Sequence, residues 1–141
     1  MEEIDFLSLT PINQEESILT TSQGADSVNI KGSVLEKQFS LPNGFHLVLT
    51  TENSPYDEAL YATLIDQHFE VADQVEISSA LTPGILEDAE VQSEDRLKFW
   101  FNKAEPYILT FDPKGFIIPR PSDKGSRPFR TVFKKKYLHI H

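Results

Sequence analysis

From residue 34 onward the chain alternates apolar and polar residues with a period of two. That period restricts the fold more than any other feature, because only a strand sends successive side chains to opposite faces. "VLEKQFSL" sets Leu35, Phe39 and Leu41 on one face, and "FHLVLTT" does the same with Phe45, Leu47 and Leu49. "FEVADQVEI" alternates Phe69, Val71, Val75 and Ile77 with Glu70, Gln74 and Glu76. "GILEDAEV" and "RLKFWF" follow, the second with Phe99 and Phe101 on one face and Trp100 on the other. The register predicts burial of Phe39, Leu47, Val71, Val75, Leu97 and Phe101.

Turn residues punctuate these runs. In "LPNGF", Pro42 suits the second position of a turn and Asn43-Gly44 the left-handed angles that follow, which predicts a hairpin. "QSED" has the length of a hairpin linker, and "DPKG" between "PYILTF" and "GFII" reads as a type I turn. The expected fold is therefore mainly β: a single-domain antiparallel sheet built from hairpins, as a rolled sheet, barrel or sandwich.

One segment reads two ways. In "SPYDEALYATLIDQHF", Ser54 suits a helix N-cap and Pro55 the first helical position, with Leu60, Tyr61, Leu64, Ile65 and Phe69 at helical spacing. As a strand it alternates Leu60, Ala62 and Leu64 and turns into "FEVADQVEI". The alternative fold is thus α+β with one helix around residues 55–67. Residues 1–33, polar and rich in Ser and Thr, read as a loosely attached N-terminal arm. Residues 34–141 then form the β-rich domain, ending in a basic segment at 113–141.

A chain of 141 residues buries roughly 68% of its unfolded surface, enough for one core without staples. It has no cysteine, so disulfide and zinc-thiolate chemistry are excluded. The opening "MEEIDFLSLT" is acidic where a secretory leader is basic, and no run approaches the ~20 apolar residues of a membrane span. The expectation is a cytoplasmic protein with no membrane partner; the oligomeric state is left open.

Charge is divided unevenly. Residues 1–112 hold 5 Lys/Arg against 21 Asp/Glu, net −16, and residues 113–141 hold 8 against 1, net +7, which together give −9. An acidic body supplies counter-charge for its own basic ending. Lys134 and Lys136 are therefore expected near strand carboxylates. Leu138 and Ile140 should face the core, with Tyr137, His139 and His141 facing outward. Exposed ion pairs contribute only ~0–1 kcal/mol each, so Lys134, Lys135 and Lys136 are expected to matter little to stability.

No motif carries chemistry. The G-x-S-x-G elbow, the phosphate-binding loop, the dinucleotide fingerprint and the calcium-loop pattern are all missing, so no catalytic residue or cofactor is assigned. His139 and His141, two apart on a strand, are weak candidate metal ligands, two short of a structural zinc set. "EDAEVQSED" gathers Glu87, Asp88, Glu90, Glu94 and Asp95, which with Trp100 are the candidate partner-binding residues. The leading function is a non-catalytic module whose acidic surface engages a basic protein, of the inhibitor or immunity type. The alternative is a small enzyme or ligand-binding domain assembled in space from His46, His68 and scattered carboxylates. Third is a nucleic-acid-associated protein using the basic segment, which the acidic body disfavours.

Overall fold

The computed structural model describes residues 1–52, 58–79, 86–101, 105–121 and 131–141, without the side chains of 58, 78–79, 116–121 and 131–135. Among the described residues twelve strands run in chain order: β1 (Glu2–Glu3), β2 (Leu7–Pro11), β3 (Glu16–Thr21), β4 (Ser27–Lys31), β5 (Val34–Ser40), β6 (His46–Thr51), β7 (Glu58–Ile65), β8 (Val71–Ser79), β9 (Leu86–Ser93), β10 (Arg96–Phe101), β11 (Tyr107–Pro121) and β12 (Thr131–Ile140). They form three open antiparallel sheets, ordered β1-β5-β6-β7-β8, β12-β11-β10-β9 and β2-β3-β4. The mainly β expectation holds, as stacked sheets and not a closed barrel. Among the described residues no helix is long and apolar enough to cross a membrane.

The five-stranded sheet is the middle layer. One face, with Phe39, Leu47, Leu49, Leu60, Ala62 and Leu64, packs against Leu97, Phe99, Phe101, Leu109, Phe111 and Leu138 of the four-stranded sheet. The other face presents Val48 and Ile65 to Leu7, Leu19 and Ile30 of the three-stranded sheet, with Phe69 beside them. β6 is consequently buried on both sides, Leu47 and Leu49 one way and Val48 the other. Each such side chain contributes ~1.5–3 kcal/mol by leaving water.

Residues 58–65 are strand, not helix, while Ser54 and Pro55 lie outside the described residues. Pairing on both sides explains the outcome: β7 lies between β6 and β8, and Leu60, Ala62 and Leu64 enter one core together. The β5–β6 hairpin forms as predicted, with Asn43 at φ 66° and Gly44 at φ 78°. Glu94 and Asp95 turn β9 into β10.

Other expectations are corrected. "DPKG" does not reverse the chain. β11 continues through it, and residues 112–115 bulge opposite Tyr137, between the pairs Phe111–Leu138 and Phe116–Lys136. The turn chemistry is nonetheless present, since Asp112 Oδ1 accepts the Lys114 N–H at 3.0 Å and Gly115 takes φ 73°. Val71 is 42% exposed because the register between β7 and β8 slips by one residue at Ala72, turning Val71 to the opposite face. Phe39, Leu47, Leu97 and Phe101 are buried, and Val75 is half-buried against the same core.

Where the sequence reads as a polar arm, the structure has β1 to β4. The N-terminal sheet gives the middle layer few fully buried apolar residues, and hydroxyls bonded to carbonyls add to the seam. Ser17 Oγ donates to the Gly32 carbonyl and Thr50 Oγ1 to the Lys31 carbonyl, both at 2.7 Å. Such pairs satisfy buried polar groups without leaving a hydrophobic period in the sequence.

Candidate functional site

Two adjoining hollows, of about 390 and 260 Å³, share Asp95, Phe111 and Pro113 and form one cleft. Three irregular features of the backbone build it. The β9–β10 turn brings Ser93, Glu94 and Asp95, and the β11 bulge brings Asp112 and Pro113. The β5–β6 turn contributes Pro42. Tyr137 and His139 of β12 close the far side.

The floor is fixed by packing. Phe45 stands between Phe111 and Tyr137, with ring centroids 5.2 and 5.6 Å away, so Tyr137 is half-buried and not turned to solvent as expected. The rim is fixed by hydrogen bonds. The Phe111 N–H donates to the Asp95 carbonyl at 2.8 Å, and Ser93 Oγ donates to Asp95 Oδ1 at 2.7 Å. Three carboxylates, Glu94, Asp95 and Asp112, thus border an aromatic and proline floor. Such a hollow suits a cation with an apolar stem, since an aromatic face and a carboxylate both attract positive charge.

The cleft unites Glu94 and Asp95 with His139, three residues singled out by sequence. The other candidates lie elsewhere. Glu87, Asp88 and Glu90 are exposed on β9. Trp100 is half-buried on the outward face of β10, with Lys98 Nζ 5.1 Å from its ring centroid. His139 and His141 do share a face, their ring centroids 4.4 Å apart. Among the described residues no three His, Cys, Asp or Glu groups are placed to hold a metal. Of the other two histidines, His68 is exposed in the β7–β8 turn, whereas His46 lies half-buried with Phe6 edge-on to its ring at 5.7 Å.

Sequence reasoning missed Asp73, whose carboxylate is fully enclosed. Its Oδ2 accepts the N–H groups of Tyr137 and Leu138, each at 2.9 Å. Its Oδ1 accepts the Gln74 N–H at 2.7 Å and lies 3.0 Å from Lys136 Nζ. Burial alone would raise the pKa of this carboxyl, but the Tyr137 and Leu138 N–H groups, Lys136 and Gln74 N–H together hold it below the usual value. The signal was available: Asp73 occupies an inward position of the alternation through Val75 and Ile77.

Compared with protein-family models, characterised proteins and solved structures, the chain matches none.

Proposed function

We propose that this is a cytoplasmic, non-catalytic protein-binding module that engages a basic partner, in the manner of an inhibitor or immunity-type protein. The observation that carries this reading is the cleft. Glu94, Asp95 and Asp112 surround a floor of Phe111, Tyr137, Pro42 and Pro113, on a body whose first 112 residues carry a net −16. A lysine or arginine entering it buries its stem on the rings and keeps its charge among the carboxylates. The surrounding field steers a basic partner toward it, an effect that weakens as salt rises.

The test is calorimetric titration with a nona-arginine peptide at low and high salt. Binding that weakens with salt, and falls at least tenfold in a Glu94→Gln/Asp95→Asn/Asp112→Asn variant of unchanged urea stability, supports the reading. No binding at low salt, or binding indifferent to the variant, overturns it.

A second reading attaches to β11 and β12 beyond the bulge, where Lys134, Lys135 and Lys136 lie opposite Ile118, Ile117 and Phe116 on a two-stranded ribbon. A ribbon of this charge suits phosphates. Titration with single-stranded DNA and RNA separates the two, because phosphate contacts give affinity a steep dependence on salt.

A further inference from the structure

Among the described residues, β9 pairs with β10 alone, and its other edge is open. An open edge presents unpaired N–H and C=O groups, which most proteins blunt. Three other strand edges here are short or capped. Asp73 caps the edge of β12 through the Tyr137 and Leu138 N–H groups. The Gln38 side chain caps β2, accepting the Leu7 N–H at 2.9 Å and donating to the Leu7 carbonyl at 3.2 Å. β1 is two residues long. β9 has eight residues, without proline or lysine, and its Ala89 N–H is held by its own neighbour, donating to Asp88 Oδ1 at 2.8 Å, a bond that an incoming strand can replace.

Between bulges at Glu87 and Gln92, residues Asp88 to Val91 pair in regular register with Trp100 to Leu97. Ala89 and Val91 lie opposite Phe99 and Leu97 on the core face, where Val91 is still 41% exposed. Asp88 and Glu90 lie opposite Trp100 and Lys98 on the outward face. We infer that β9 is a docking edge for an extended segment of a partner protein, added as a fifth strand, in which basic and apolar residues alternate. Its basic residues meet Asp88 and Glu90, and its apolar residues continue the row of Ala89 and Val91. Main-chain hydrogen bonds supply affinity and the alternation supplies register. A second copy of β9 is disfavoured at the same edge, since the outward faces would set carboxylate against carboxylate.

This inference rests on the reading that the partner is basic, and the test separates the two. The probe is a ten-residue peptide alternating lysine with valine, compared with the same sequence N-methylated at every residue. N-methylation keeps the charge and removes every backbone donor. Binding is followed by calorimetry and amide exchange on the full chain at low salt. The expected result is at least tenfold weaker binding of the methylated peptide, with the unmethylated one slowing exchange of those β9 amides that β10 leaves unbonded. Equal binding of both peptides, or protection at a different strand, overturns strand addition and leaves a basic partner in place. No binding of either overturns both readings. Concentration-dependent dimers of the protein alone that protect β9 make the occupant a second copy, and overturn the inference.

Discussion

The carboxylate of Asp73 accepts the backbone N–H of Leu138 at 2.9 Å, joining residues 65 apart in sequence. The bond lets a side chain of β8 stand where another strand would pair with β12. Leu138 is thereby held at 1% exposure in the core between the two larger sheets. Asp73→Ala leaves two N–H groups and Lys136 without their acceptor. It should cost ~3–5 kcal/mol in urea unfolding, the range for breaking a buried charge pair from one side. Because the folded pKa of Asp73 lies below its unfolded value of ~3.9, its contribution is full above that pH. It is lost as pH falls through the folded value. The wild type should therefore lose stability below about pH 4, and an Asp73→Asn variant, weaker throughout, should lose less over the same range.

Lys136 should separate from its neighbours. Charge alone made the three lysines of 134–136 equivalent, yet Lys136 holds an enclosed carboxylate at 3.0 Å. Lys136→Gln should destabilise by ~1.5–3 kcal/mol, the range for a hydrogen bond to a charged group. The double variant Lys134→Gln/Lys135→Gln is expected to change stability by only ~0–1 kcal/mol, the range for the exposed ion pairs that charge alone predicts. Thermal and urea unfolding of both variants decides this, and equal losses would show that Lys136 is not special.

Gly32 joins β4 to β5 at φ 99°, and a Cβ there would overlap the Thr50 hydroxyl. That hydroxyl is committed to the Lys31 carbonyl, so it cannot swing aside without losing its bond. Gly32→Ala should cost ~2 kcal/mol or more, combining a left-handed backbone with a steric clash. A melting temperature equal to wild type would contradict the packing of the N-terminal sheet on the middle layer.

Burial lowers the pKa of His46, whose Nδ1 is enclosed with no hydrogen-bond partner among the described residues. The unfolded chain then takes up a proton first. Stability should decline as pH falls below ~6.5, the unfolded value, until the folded ring itself titrates. A His46→Phe variant should lack that decline. Unfolding curves measured from pH 8 to pH 5 give the comparison.

The middle and four-stranded sheets were legible in sequence because their inward residues alternate with polar ones, as in Phe39, Leu47, Leu97 and Phe101. The N-terminal sheet was not. It offers Leu7, Leu19 and Ile30, one buried apolar residue per strand, with Leu9 and Val28 only partly covered, and two of its contacts are hydroxyls bonded to carbonyls. "DPKG" misled because an Asx turn closes locally whether a hairpin or a bulge surrounds it; the pairing of β12 on both sides of residues 112–115 decided for the bulge. Val71 shows the limit of periodicity, since one extra residue at Ala72 inverts every face before it. Of the cleft, sequence supplied Glu94, Asp95 and His139 as separate candidates. Their neighbourhood with Phe111 and Tyr137 depends on three backbone irregularities that no local pattern encodes.

β6, enclosed on both faces, has a place of its own in the molecule's dynamics. Either outer sheet can loosen while the strand keeps one covered side and both its ladder partners, β5 and β7. Water reaches its amides only when the layers part together. In hydrogen exchange Leu47, Val48 and Leu49 should be the last amides to exchange, at a rate set by the global unfolding equilibrium, while the outer sheets report smaller, local openings.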